Sequence, residues 1–166
     1  MSFLAIARRS ALHARAPLVA RRGLLTVSKE IYNTSATASG GGRAGTSKLD
    51  DGSMTVNMVP PTELGGAGKG ANPEQLLALG YGACFLGALR LQAKEKKISL
   101  SDDVKVHTTV TLGNPSDLPG FALRVAIRVG GLDGVTDKAA LVQAAHEFCP
   151  YSRAFNQGIE TSATAE

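Results

Sequence analysis

The segment "NPEQLLALGYGACFLGAL", Asn72 to Leu89, opens on a helix start and then runs from Leu76 to Leu89 without a charged side chain. Asn72 offers a side-chain cap, Pro73 occupies the first turn where a missing N–H costs nothing, and Glu74 stands at the positive helix end. A helix apolar on every face has no side that suits water, so it must be covered by a core or by another subunit. Only about 140 residues follow the basic N-terminal leader, and a domain of that size has a limited interior. Part of the helix surface is therefore expected at a subunit interface. The polar run "RLQAKEKK" then returns the helix to solvent.

The remaining elements surround this helix. Glu30 to Ala38 and Ser53 to Val59 show the alternation and β-branched content of half-buried strands, with the turn-rich "SGGGRAGTSKLDDG" between them. Val104, Val106, Thr108, Val110 and Leu112 alternate with polar neighbours, as do Phe121, Leu123, Val125, Ile127 and Val129; "GNPSDLPG" joins them into an antiparallel hairpin with a wide turn. Thr136 is placed to cap a second helix with Leu141, Ala145 and Phe148 as its buried stripe, and Pro150 to end it. Strands, helix, strands, helix is an α+β order. The loop "PPTELGGAGKGA" is not a Walker phosphate loop, because Glu63 stands where its first glycine belongs and Gly70 follows Lys69.

Charge is unevenly spread. The chain has 18 Lys and Arg against 14 Asp and Glu, but Arg8, Arg9, Arg15, Arg21 and Arg22 all precede the first acid, Glu30. Without them 13 basic residues face 14 acidic ones, so a nucleic-acid surface has little support. A leader rich in Arg, Ala, Leu and Ser and free of acids fits a mitochondrial presequence over residues 1–26, removed near Arg22 to Val27, with one domain over 27–166 in the matrix. Arginines interrupt its apolar runs every few residues, which excludes a membrane-spanning leader.

Cys84 and Cys149 are too few and too widely spaced for a disulfide scaffold or a zinc site. They are either two buried apolar side chains or a redox couple. A reactive thiolate needs a helix N-terminus, a cation or both. Gly80 and Gly82 either break the long helix, putting Cys84 in the first turn of a second one, or simply allow close packing. Cys149 is expected near a helix C-terminus, where the dipole opposes a thiolate. If one cysteine attacks first, it is Cys84. His146, one turn before Cys149, reads as a boundary residue rather than half of a catalytic dyad.

Together, "NPEQLLALGYGACFLGAL", "AHEFCPYS" and the upstream "GGR" resemble the organic hydroperoxide resistance proteins, a branch of the superfamily that also holds the osmotically inducible protein C group. The resemblance covers Ile31 to Ile159. It implies an intertwined α+β homodimer with two active sites at the interface and thiol peroxidase activity on organic hydroperoxides. By position it makes Cys84 the peroxidatic cysteine, Cys149 the resolving cysteine, Arg43 the active-site arginine and Glu74 its carboxylate partner. It also implies recycling by dihydrolipoamide carried on lipoylated proteins, with no metal or bound prosthetic group.

Chemistry fits those roles. Oxidation of Cys84 to a sulfenic acid, followed by a Cys84–Cys149 disulfide, protects the first thiol from irreversible oxidation, and an arginine held by Glu74 would stabilise both thiolate and leaving oxygen. Glu74 and Cys84 are ten residues apart, about 15 Å along a straight helix, so they share a site only if the helix breaks or a partner supplies one of them. Leu77, Tyr81 and Phe85 are candidates for an apolar substrate pocket suited to an alkyl or acyl hydroperoxide. The polar ending "GIETSATAE" departs from the apolar last strand usual in the family. The competing readings are a peroxidase of the osmotically inducible branch with wider peroxide tolerance, and a non-catalytic dimer binding a small apolar ligand.

Overall fold

Helix α1 (Pro73–Glu95) starts at a capping box: the Asn72 side chain accepts from the Gln75 N–H at 2.9 Å and the Gln75 side chain accepts from the Asn72 N–H at 3.0 Å. Such a cap contributes about 1 kcal/mol and fixes where the helix begins. The structure, a computed structural model, describes residues 24–165. Most of the expected presequence, residues 1–23, lies outside the described residues.

Upstream of α1, β1 (Ala36–Ser39), β2 (Thr46–Leu49) and β3 (Thr55–Asn57) form an antiparallel sheet in the order β1-β2-β3, with Ala36 opposite Leu49 and Thr46 opposite Asn57. The two expected strands are shorter than their alternation indicated, and the connection between them holds β2. The tight turn Gly42–Ala44 joins β1 to β2. It closes so sharply that a Cβ on Gly45 would fall 2.0 Å from the Ser39 carbonyl oxygen, so only glycine fits there. Downstream, β4 (Lys105–Gly113) and β5 (Ala122–Gly130) form the expected hairpin, with Val110 opposite Val125 and Leu112 opposite Leu123.

Helix α2 (Lys138–Phe148) is capped by Asp137, which accepts from the Ala140 N–H at 2.9 Å, one residue after the expected Thr136. Leu141 and Ala145 are buried as expected. Phe148 is not part of that stripe: it is 37% exposed, with the Arg153 guanidinium 5.5 Å above its ring. Pro150 ends α2 and also begins a helix that sequence reasoning missed, α3 (Pro150–Gln157). The polar C-terminus forms no final strand among the described residues; Ile159 makes an isolated bridge with Leu25.

The core is α1 packed on α2 and the β4–β5 hairpin. Tyr81, Phe85, Ala88, Leu89 and Ala93 meet Leu141 and Ala145, with Val104, Leu132 and Val135 closing the ends. Full burial of Phe85, Leu89 and Leu141 contributes about 1.5–3 kcal/mol each. Helix α1 is not covered on every face within one chain. Leu79 is 71% exposed beside a groove of about 540 Å³ lined by Ala78, Gly82, Ala83, Leu86 and Thr108. The architecture is α+β, as expected.

Candidate active site

Helix α1 runs unbroken through Gly80 and Gly82, so Cys84 lies in mid-helix rather than in a first turn. The glycines serve close packing. A Cβ on Gly80 would come within 3.1 Å of the Tyr151 hydroxyl, and one on Gly82 within 3.0 Å of Thr108 Oγ1. That Thr108 oxygen is buried and has no hydrogen-bond partner among the described residues.

The helix terminus that Cys84 needs comes from α3 instead. Cys149 is the C-cap of α2, at a helix C-terminus as expected, and also the N-cap of α3. The Cys149 and Cys84 sulfurs are 3.5 Å apart, both as free thiols. Cys149 is fully buried and Cys84 partly open. Burial pushes the Cys84 thiol up, the Tyr151 backbone N–H at the start of α3 pulls it down, and the neighbouring Cys149 raises it again. No cation among the described residues enters this balance.

Arg43 sits on the tight turn after β1, where its Nη2 donates to both Glu74 carboxylate oxygens, at 2.6 Å and 2.5 Å. A single nitrogen makes both contacts, which leaves the other guanidinium donors free for a third group. The pair that the resemblance implied is thus formed, but at the start of α1, about 15 Å of helix rise from Cys84.

Arg43 also holds the Glu74 carboxyl below its ordinary value of 4.5, chiefly through the hydrogen bond. A carboxyl lowered on folding stabilises the protein above that ordinary value, and the contribution is lost as pH falls through the lower folded value. Arg43 is 42% exposed, so solvent screening keeps it below about 1 kcal/mol. Urea titrations at pH 7 and pH 3 are expected to show wild type losing more stability on acidification than Glu74→Gln does. Equal losses would show that the pair adds nothing to the fold.

Of the three pocket candidates, Tyr81 and Phe85 are 3% and 1% exposed and line a cavity of about 220 Å³ with Val125, Ile127, Val142 and His146. Leu77 is half-buried and does not line it. His146 pairs through Nε2 with the Asn156 side-chain nitrogen at 2.9 Å, in keeping with a boundary residue. Sequence reasoning missed Ser152, fully buried at the start of α3, which accepts the Tyr81 hydroxyl at 2.8 Å. Its three-residue spacing from Cys149 was the available signal. Among the described residues no group of three His, Cys, Asp or Glu could hold a metal ion.

Known proteins share this fold. The OsmC-like protein family matches residues 66–164. The organic hydroperoxide resistance protein of Xanthomonas axonopodis pv. citri is 39% identical over 137 residues, covering 82% of this chain and 95% of the relative. Two crystal structures superpose well. The organic hydroperoxide resistance protein OhrB of Bacillus subtilis has a TM-score of 0.66 and 41% identity, over 78% of this chain and 94% of its own. The organic hydroperoxide resistance protein from Elizabethkingia anophelis has a TM-score of 0.69 and 38% identity, over 80% and 94%. The chain with the paired Cys84 and Cys149 sulfurs therefore belongs to the OsmC-like family, among the organic hydroperoxide resistance proteins.

Proposed function

We propose that this protein is a thiol peroxidase that reduces organic hydroperoxides to alcohols. The observation that carries the reading is the pair of free sulfurs 3.5 Å apart, one sealed and one open. In the first step the Cys84 thiolate attacks the distal peroxide oxygen; the O–O bond breaks, Cys84 becomes a sulfenic acid, and the alkoxide leaves as alcohol after taking a proton. Cys149 then attacks the Cys84 sulfur, an S–S bond forms, and the sulfenic oxygen leaves as water. A dithiol, in this reading dihydrolipoamide or a lipoyl group on a protein, returns both cysteines to thiols and closes to its own disulfide.

The helix terminus at Tyr151 leaves the Cys84 thiol raised, and no cation among the described residues enters its balance. With α1 unbroken, the Arg43–Glu74 pair of a second copy completes the site, so the active form is a homodimer. The exposed Leu79 face of α1 and the groove beside it suit such a partner. The acid-free, arginine-bearing leader supports a mitochondrial matrix address, where lipoylated enzyme complexes supply the reductant.

The test is peroxide consumption with dihydrolipoamide, comparing an alkyl hydroperoxide with hydrogen peroxide. Faster turnover of the alkyl substrate is expected, because an apolar chain gains from burial. Equal rates would favour the osmotically inducible type of peroxidase, and no consumption of either would favour a ligand-binding protein.

A further inference from the structure

Beside the two sulfurs, a buried hydrogen bond ties the same stretch of α1 to the start of α3. Tyr81 precedes Cys84 by three residues on α1, and Ser152 follows Cys149 by three at the start of α3. Each hydroxyl is therefore about one helical turn from a thiol. The Tyr81 hydroxyl donates to Ser152 Oγ at 2.8 Å, and the two residues are 3% and 0% exposed. Around this bond the packing is aromatic: the Tyr81 ring stacks on Tyr151 and Phe155 with centroids at 5.4 Å and 5.5 Å. Stacked rings tolerate sliding, whereas a buried hydrogen bond is directional and costly to leave unmade.

We propose that the Tyr81–Ser152 hydrogen bond fixes the start of α3 against α1 and thereby sets how fast Cys149 captures oxidised Cys84. Ser152 is then a positioning residue that decides how much peroxide the protein survives. This rests on the thiol peroxidase reading above. The sulfurs, 3.5 Å apart, must close to about 2.05 Å to bond. Capture joins Cys149 sulfur to Cys84 sulfur and expels the sulfenic oxygen as water. The competing event is attack by the Cys84 sulfenate on a second hydroperoxide, which transfers one more oxygen to that sulfur, releases alcohol and leaves a sulfinic acid. Capture needs Cys149 at the head of α3, whereas the start of α3 reaches the attack on peroxide only through the Tyr151 N–H that lowers the Cys84 thiol. Without the Ser152 hydroxyl the Cys149 backbone is free to drift, which slows capture, while the attack on peroxide by an already formed Cys84 thiolate or sulfenate needs nothing from Cys149.

The experiment is rapid mixing of reduced protein with an alkyl hydroperoxide, with products read by mass spectrometry. Wild type, Ser152→Ala and the double variant Tyr81→Phe/Ser152→Ala are compared, each checked for folding by its thermal transition. The double variant removes both hydroxyls and strands no buried donor, so it carries the test if Ser152→Ala fails to fold. In Ser152→Ala, at a pH where Cys84 is fully thiolate, the first oxidation is expected to keep its wild-type rate. Disulfide formation is expected to slow about tenfold, with sulfinic acid appearing at correspondingly lower peroxide, in both variants. A wild-type division between disulfide and sulfinic acid in a folded variant would overturn the positioning role. So would equal slowing of oxidation and capture in Ser152→Ala, the mark of general loosening. Absence of any Cys84 oxidation in wild type would instead overturn the peroxidase reading and the positioning role with it.

Discussion

Cys84→Ser is expected to lose peroxide turnover by at least about 10,000-fold, the scale seen when a nucleophile that acts as a unit with its neighbours is removed. Serine keeps the shape of the side chain, but its hydroxyl is far too weak an acid to supply an anion at neutral pH. Cys149→Ser should behave differently. It should reduce one equivalent of hydroperoxide at close to the wild-type rate, then stall with Cys84 as sulfenic acid and pass to sulfinic acid in excess peroxide. The fold should tolerate both changes, since each replaces one small group by another of similar volume. Mass spectrometry of the intact protein after one and after ten equivalents separates the outcomes. A first-turnover rate in Cys84→Ser equal to wild type would remove Cys84 from the chemistry.

The second large effect is expected at Arg43. Burial raises the Cys84 thiol, and the Tyr151 N–H only partly offsets it. A guanidinium brought to the sulfur would lower the thiol pKa and hold the oxygen that leaves with the alcohol. Arg43→Ala should therefore shift the pH profile of the first oxidation to higher pH. It should also lower the plateau, where the thiolate is fully formed, by about 100- to 1,000-fold, the cost of losing one preorganised donor to a developing oxyanion. Arg43→Lys should recover the shift better than the plateau. An ammonium keeps the charge but cannot contact Glu74 and the sulfur at once through a planar fork. Overlapping profiles for wild type and Arg43→Ala would leave the Arg43–Glu74 pair as a structural contact alone.

Periodicity and composition make much of this legible in advance. The alternation of Val106 to Leu112 and Leu123 to Val129 is that of a half-buried ladder, and the hairpin pairs those residues. The Asn72, Pro73 and Glu74 chemistry leaves few other places for a helix to begin. Strand β2 is hidden because "TSKL" is four residues long, barely apolar, and set among glycines and aspartates. Helix α3 is hidden because "PYSRAFNQ" is short and polar on average, and because Pro150 after an amphipathic run reads as a stop. Proline in a first turn is equally a start, and Tyr151 and Phe155 at four-residue spacing mark the face that stacks on the Tyr81 ring. Missing α3 has a direct chemical cost. Sequence offers only the helix of Cys84 itself, through a break at Gly80 set against plain close packing, as a helix terminus for that thiol, whereas the terminus it meets is 67 residues further along the chain, at Tyr151. Arg43 is identifiable from the resemblance alone, since periodicity cannot show which turn folds against the start of α1.

The unequal exposure of the two sulfurs has a consequence for traffic through the site. Cys149 is sealed, and Cys84 has an opening. In the proposed cycle a thiol arriving from solution can attack only the Cys84 sulfur of the disulfide, so the mixed disulfide forms there and Cys149 departs as the leaving thiolate at the head of α3. Oxidant and reductant thus enter by the same doorway and never at the same time. Steady-state data should then give parallel lines when one substrate is varied at fixed levels of the other, and a large excess of dithiol should slow turnover by occupying the entrance that the peroxide needs.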